Sequence, residues 1–432
     1  MIFRKMSGVR LPHRKSTAGM PAVRMPIPKI VVIPMSMHIG APAKPIVKVG
    51  DEVKVGQMIA EAGGFVSAAI FASVSGKVKK LDSLTDSFGR TVGTVVIESD
   101  GLMTPVEGLS PRTVSTPSEL SDAARDAGLV GLGGAGFPTA VKLAADAARV
   151  SQIVINGAEC EPYITTDTRT MIDDAATVAE GARLLSSIYG AEVIFGIEKN
   201  KPEAIKAISR EVSGDERIRV MPLPEIYPQG GEKVLIYHTT GKLVGAGKLP
   251  LDVGVIVLNC TTLAALVRFL KTGMPLVEKT ITVEGSAVCE PRNVVCPIGT
   301  SMQEVYDFCG GFRCQPRKLL YGGPMMGVTV PDAGYPIMKT TNAIVALAEA
   351  DAVLPEATEC IRCGKCASAC PLHLTPYAIA SAAKHEDTAA LAELSVGLCM
   401  ECGCCSFICP ARRPLVQNNR LGKSILKNKG GK

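Results

Sequence analysis

The chain has no tryptophan, and phenylalanine and tyrosine bring its aromatics to only 4%. Proteins that bind single-stranded nucleic acid stack bases on aromatic platforms, so that partner class is not expected. Long apolar runs are also missing. "VGVIVL" (Val253–Leu258) and "KIVVIPM" (Lys29–Met35) are strand-length, well short of the ~18 residues that span a bilayer. The basic N-terminus carries no continuous apolar stretch before a cleavage site, so no secretory signal is expected and the chain reads as cytosolic. With no signal and an odd number of cysteines, 15, a disulfide framework is excluded.

The 432 residues are 47% hydrophobic and 20% charged, enough for several globular cores. The net charge of +6 gathers at the ends. Arg4, Lys5, Arg10, Arg14 and Lys15 open the chain, and Arg412, Arg413, Arg420, Lys423, Lys427, Lys429 and Lys432 close it. Such arms are expected to stay solvated, or to meet an acidic partner or an anionic membrane surface.

Nine cysteines crowd the last quarter, and their spacing is the strongest signal present. "CIRCGKCASACP" and "CMECGCCSFICP" both spell C-x2-C-x2-C-x3-C-P. Three thiolates at that step wrap one iron–sulfur cubane, and the fourth, before Pro, reaches the neighbouring cluster. Cys360, Cys363, Cys366 and Cys409 are therefore assigned to one [4Fe–4S] cluster, and Cys370, Cys399, Cys402 and Cys405 to a second. Zinc sites pair two C-x2-C units across a longer gap, so zinc fits poorly. Cys404 is out of register and is expected to be a buried bystander. The Ala/Leu-rich stretch between the motifs predicts helices after Pro376, as in a helical ferredoxin-type domain.

The N-terminal hundred residues read as short strands and turns. "PIVKVGDEVKVGQMIAEAGGFVSAAIFASVSGKVKKL" (Pro45–Leu81) resembles the barrel-sandwich hybrid of biotinyl and lipoyl carriers. Those carriers attach their cofactor to a lysine at the central hairpin. Gln57 to Ser75 contains none, which excludes a swinging arm and leaves a structural or docking role.

"GLVGLGGAGFPTAVK" (Gly128–Lys142) contains G-x-G-x-x-G. A Rossmann fingerprint follows a buried strand. Here a helix-like segment, Pro117–Gly128, precedes it. Pro138 suits the first position of a following helix over "TAVKLAADAARV", whose start would cradle a phosphate with Lys142 one turn in. Three further stretches, "IVINGAECEPYITTD", "YPQGGEKVLIYHTTG" and "VIVLNCTTLAAL", each read as ordinary strand-to-helix connections.

In order, these stretches resemble the flavin- and NADH-binding subunit of respiratory complex I. Its "GGAGFPT" loop with a following lysine matches Gly133–Thr139 and Lys142, and its "N-A-D/E-x-x-E-P" loop matches Asn156–Pro162. Its "Y-x-x-G-E-E" turn matches Tyr227–Glu232, and its "V-N-N-V-E-T-L" turn matches Val257–Leu263. Gly231, Leu258 and Thr261 depart from that pattern, replacing an acid, an asparagine and a glutamate. Together with "SMHIGAPAKPIVKVG", "PIGTSMQEV", "YGGPMMG" and "CPARRPLVQ", the whole chain resembles the C-subunit family of Rnf complexes. A cobalamin-reductase family shares the middle and the clusters but differs at the N-terminus.

The resemblance implies a multidomain α/β and α+β protein. It has a barrel-sandwich hybrid-like β domain (1–110), a complex I-like FMN/NAD(H) domain (111–275), a β-grasp module (276–345) that packs rather than binds, and a two-[4Fe–4S] ferredoxin-type domain (346–432). It implies cofactor-binding roles for Gly131, Gly133, Gly134, Ala135, Gly136, Phe137, Lys142, Asn156, Glu159, Glu161, Tyr227, Gly230, Glu232, Asn259 and Thr262. FMN phosphate is expected near the Gly-rich loop, Lys142 and Asn259, with the isoalloxazine over the Asn156–Glu161 loop and NAD(H) against Phe137. No side chain is expected to act as a catalytic acid or base. The implied activity is ion-translocating ferredoxin:NAD⁺ oxidoreduction at the cytoplasmic face of a membrane, among integral-membrane and ferredoxin-type partner subunits. The alternatives are a soluble cobalamin-type reductase and an iron–sulfur relay without flavin.

Overall fold

In the computed structural model, residues 6–87, 89–134 and 136–429 are described. Valine- and isoleucine-rich segments alternate with glycine turns after Lys29, and they form two small antiparallel sheets. One joins Ile30–Pro34, Thr91–Ser99, Gly76–Thr85 and Glu52–Val53; the other joins Lys44–Pro45, Met58–Glu61 and Ile70–Phe71. Val31, Ile33, Ile59, Ile70, Val95 and Ile97 point inward to a shared core, as period-2 alternation requires. This is the expected barrel-sandwich shape. A fully buried lysine ties it to the next unit: Lys339 Nζ donates to Ala69 O at 2.6 Å and Gly128 O at 2.7 Å.

The middle of the chain builds a parallel sheet in the spatial order Ile218–Leu223, Glu192–Glu198, Gln152–Gly157, Val255–Asn259. Its strands are nearly continuous buried runs, because helices cover the sheet. The first strand in sequence lies between the second and the fourth. The strand order therefore reverses at the Gln152–Gly157/Val255–Asn259 pair, where ligands enter open α/β sheets at the carboxyl ends. Asn156 and Asn259 are register partners at those ends.

A six-stranded mixed sheet follows, carrying Glu278–Glu284, Arg292–Pro297, Ala343–Leu347, Lys318–Tyr321 and Val328–Val330. Its edge strand is Val23–Arg24, from the chain's beginning, so residues ahead of Lys29 run outside the barrel. The cysteine-rich end folds as helices Pro376–Lys384, Thr388–Glu393 and Leu415–Lys429. Among the described residues, no helix is long and apolar enough to cross a membrane.

The basic arms differ in part from expectation. The C-terminal arm is the helix Leu415–Lys429, with Arg420 and Lys423 both on Glu401. At the N-terminal end, the Lys15 side chain is only 11% exposed. Lys15, Arg420 and Lys423 find partners inside the chain, while Arg10, Arg412 and Lys427 stay exposed as expected. Arg4, Lys5 and Lys432 lie outside the described residues.

Candidate functional site

The two cysteine motifs fold alike. Gly364 (φ 73°) and Gly403 (φ 80°) take the left-handed conformation that glycine adopts without strain, and each starts a one-turn helix. Those turns, Lys365–Ser368 and Cys404–Phe407, bury Cys366 and Cys405. Cys360, Cys363, Cys366 and Cys409 line one concavity of about 380 Å³, beside Tyr377 and Arg413. Cys370, Cys399, Cys402 and Cys405 line another of about 320 Å³, together with Cys404 and beside Leu374, Met400 and Asn419. The structure thus gathers the same two sets of four, with the fourth cysteine of each motif crossing over. Leu374 N and Asn419 Nδ2 each donate to a thiol sulfur, Cys370 and Cys399 respectively, at 3.4 Å. Among the described residues no three His, Cys, Asp or Glu side chains close around a single metal ion. The first set is the outer one, with Cys360 and Cys363 exposed; Cys402 and Cys405 of the second are buried.

The Gly-rich loop lies at the sheet's switch point. It closes on itself through Gly131 N to Phe137 O (2.9 Å) and Gly136 N to Gly131 O (3.2 Å). Leu132 N donates to Thr262 Oγ1 at 2.9 Å, and Thr262 N to Asn259 Oδ1 at 3.1 Å, so the loop is pinned to the start of helix Cys260–Thr272. A Cβ on Gly133 would stand 2.9 Å from Asn259 Nδ2, so only glycine fits there. Gly133 and Gly134 form an exposed crest, and no described residue takes their N–H groups. Ala135 lies outside the described residues.

The helix after the loop is shorter than expected. It covers only Thr139–Leu143, with Pro138 as its N-cap rather than its first residue. Asp146 then caps a separate 3-10 turn, Ala147–Arg149, by accepting from Ala148 N at 3.0 Å. The 13-residue helix Cys260–Thr272 is the one whose N-terminus meets the crest; Asn259 takes its Thr262 N–H, and the positive end of its dipole favours an anion. Lys142 reaches the same place. Its ammonium sits 2.8 Å from Glu232 and donates to Val257 O at 3.2 Å.

The other loop residues are held by neighbours. Asn156 Nδ2 donates to Gly230 O at 3.0 Å, while Gly230 N donates to Cys160 Sγ at 3.3 Å. Glu159 turns inward and caps helix Thr166–Asp173, accepting from Asp167 N (2.7 Å) and from Thr168 N and Oγ1. The Glu161 carboxylate accepts from Met326 N (2.7 Å) and Met325 N (3.2 Å) of the "YGGPMMG" loop, and burial pushes its pKa up to about 7. Tyr227 is buried, its hydroxyl donating to Cys402 O at 2.8 Å. Glu159, Glu161 and Tyr227 thus shape the loops, and the crest, Lys142, Glu232 and Phe137 face outward.

The three departures from the complex I pattern have structural reasons. A side chain on Gly231 would meet Met400 Cε and Pro228 O, so the Met400 side chain would have to move. Thr261 Oγ1 donates to Asp167 Oδ1 at 2.7 Å and Asn259 Nδ2 to Asp167 Oδ2 at 2.7 Å, so Asp167 supplies the carboxylate that the Glu-to-Thr change removes. Leu258 is buried in the sheet core. The inner cysteine pocket therefore abuts the flavin-type loops: Val9, Tyr227, Met325, Met400, Cys402 and Cys404 form one apolar cluster. Cys404 is buried there, with its thiol toward Tyr227 O at 3.6 Å.

Three family models match the chain in order. One is described as an RnfC barrel-sandwich hybrid domain (residues 3–102), one as a Nuo51 FMN-binding domain (124–268), and one as an SLBB domain (280–329). The C subunit of the Na⁺-translocating ferredoxin:NAD⁺ oxidoreductase complex of Acetobacterium woodii is 44% identical over 380 residues, covering 86% of this chain and 86% of that protein. This chain belongs to the RnfC family. Two more relatives agree. The C subunit of the proton-translocating ferredoxin:NAD⁺ oxidoreductase complex of Clostridium ljungdahlii is 44% identical, over 84% of this chain and 80% of that one. The C subunit of the ion-translocating oxidoreductase complex of Rhodobacter capsulatus is 38% identical, over 96% and 81%. Among solved structures, an NAD⁺-reducing [NiFe]-hydrogenase in the H2-reduced state aligns at TM-score 0.48 and 19% identity, covering 72% of this RnfC-family chain and 62% of the hydrogenase chain. The two relatives at 44% are named for different ions, although this RnfC-family chain is equally similar to both.

Proposed function

We propose that this RnfC-family chain is the NAD(H)-side electron-transfer subunit of a membrane-bound complex, moving electrons between NAD(H), FMN and two [4Fe–4S] clusters. The reaction is ferredoxin:NAD⁺ oxidoreduction coupled to Na⁺ or H⁺ translocation by partner subunits, with this chain at the cytoplasmic face. One observation carries the reading: the pocket of Cys370, Cys399, Cys402 and Cys405 adjoins the flavin-type loops through Tyr227 and Gly231.

The residues present suit FMN. The exposed Gly133–Gly134 crest offers N–H groups to a phosphate at the start of the Asn259-capped helix, with Lys142 adding charge. The Asn156–Pro162 loop supplies the platform for the ring, and Phe137 and Glu232 border the space for nicotinamide. Flavin exchanges a hydride with nicotinamide and single electrons with clusters, so it joins the two halves of the chain. The chain itself binds, orients and excludes water. Tyr227 and Met400 bring the inner four cysteines against the flavin turn, and Cys360 and Cys363 hold the outer cluster toward a partner. Cofactor content tests this reading. The full chain, reconstituted anaerobically, is expected to retain one FMN and about eight iron atoms. Retention of iron without flavin would reduce it to a relay.

A further inference from the structure

The residues ahead of the barrel form a strap across the flavin-type loops. Val9 and Tyr227 exchange both backbone hydrogen bonds at 2.9 Å, and Tyr163 N donates to His13 O at 3.0 Å. Thr17 Oγ1 lies 2.7 Å from Thr165 Oγ1, and Asn293 Nδ2 donates to Thr17 O at 3.0 Å. Between these anchors, Lys15 passes under the Asn156–Pro162 platform. Its Nζ donates to Glu159 O (3.0 Å), Glu161 O (2.9 Å) and Ile164 O.

Three carbonyls converging on one nitrogen use all three donors of an ammonium; a neutral amine has only two. Burial pulls the Lys15 pKa down, and the Glu159 carboxylate at 4.0 Å pulls it back. A second buried ammonium, Lys201, donates to Ala158 O at 3.2 Å and pairs with Glu198 at 2.6 Å. The charged groups facing Lys15 are thus Glu159, Glu161, Glu198 and Lys201, with Cys160 beside them. Glu159 also accepts from the helix behind it, and Glu198 is paired with Lys201. In a site shielded from water the Lys15 charge acts over distance.

We infer that Lys15 is a positioning residue for the flavin: it holds the platform loop in shape, and its charge favours the reduced, more electron-rich ring. The inference rests on the flavin reading of the loop. It gives the N-terminal strap a part in setting the potential at which the protein exchanges electrons.

The test uses the full chain carrying both clusters, comparing wild type with Lys15→Met, Lys15→Arg and Glu159→Gln. FMN affinity is measured for oxidised and reduced flavin, and the flavin midpoint potential by anaerobic spectroelectrochemistry. In Lys15→Met, reduced FMN is expected to lose about tenfold more affinity than oxidised FMN, which lowers the two-electron midpoint by about 30 mV. Lys15→Arg keeps the charge but cannot converge on three carbonyls, so both affinities fall together and the midpoint stays. Glu159→Gln removes the nearest counter-charge, so the midpoint rises; this arm decides the matter if Lys15→Met fails to fold. Wild-type affinity and midpoint in Lys15→Met, or a midpoint that does not rise in Glu159→Gln, overturns the inference while leaving the flavin reading intact. A wild-type chain that binds no FMN overturns both.

Discussion

Met400 Cε fills the space beside Gly231 where a Cβ would stand. The Gly231 φ of −64° is ordinary for any residue, so the constraint is steric and not conformational. Restoring the acid of the complex I pattern, Gly231→Glu, should force the Met400 loop away from the flavin turn. Overpacking of this kind costs about 1–3 kcal/mol. Thermal denaturation should register that loss, and stopped-flow reduction should show slower electron passage from flavin to cluster. A Gly231→Glu chain with wild-type melting and rates would mean that the loop is not held there.

The assignment of ligands is separable from the presence of Cys404. Cys404→Ala should leave iron and sulfide content unchanged: Cys404 also lines the inner pocket, but its thiol donates to Tyr227 O and it falls outside the repeated cysteine spacing. Cys402→Ala and Cys405→Ala should each remove about half of the iron. Loss of iron in Cys404→Ala, with retention in Cys405→Ala, would exchange their roles.

The order of the two clusters follows from their positions. Cys363→Ala should remove the outer cluster and leave the inner one reducible by NADH. Cys402→Ala should remove the inner cluster and leave the outer one intact but slow to reduce, because the flavin-type loops adjoin only the inner pocket. EPR of each variant after NADH addition distinguishes them, and the opposite pattern would reverse the order.

Lys142 and Glu232 are part-exposed, at 30% and 40%. An ion pair so placed contributes about 0–1 kcal/mol, so Lys142→Met should barely alter the melting temperature. FMN binding should weaken, since Lys142 brings a cation beside the Asn259 turn. Equal FMN affinity in the two proteins would remove Lys142 from the site.

Glu161 gives a pH signature. Burial raises its folded pKa to about 7, above the ordinary glutamate value of 4.5. The folded chain therefore prefers the protonated acid, and its contribution to stability is complete below pH 4.5 and lost as pH rises through 7. The difference in stability between wild type and Glu161→Gln should change across that window and level off above it. A difference that is flat from pH 5 to 8 would contradict the assignment.

Much of this was legible in the sequence, for identifiable reasons. The proposed cluster ligands follow local spacing, so Cys360 to Cys409 could be grouped without a fold, and the structure brings each proposed set to one pocket. Asn156 and Asn259 stand at strand ends that the apolar runs mark. Long-range partners were not legible. Lys15 looks like part of a basic arm until the strap brings it to Glu159, some 144 positions away. Asp167 carries no motif of its own, and only the fold places it beside Asn259 and Thr261. The helix after Pro138 had the right composition, but Asp146 offered the backbone a competing cap. Gly231 read as a lost contact because the cluster loop that needs its space lies far along the chain.

The most direct measurement is an anaerobic NADH titration of the full chain carrying FMN, iron and sulfide, followed by flavin absorbance and cluster EPR. The predicted result is flavin bleaching by NADH, accompanied by the signal of reduced clusters. Clusters that assemble normally while FMN fails to bind and NADH reduces nothing would contradict the account.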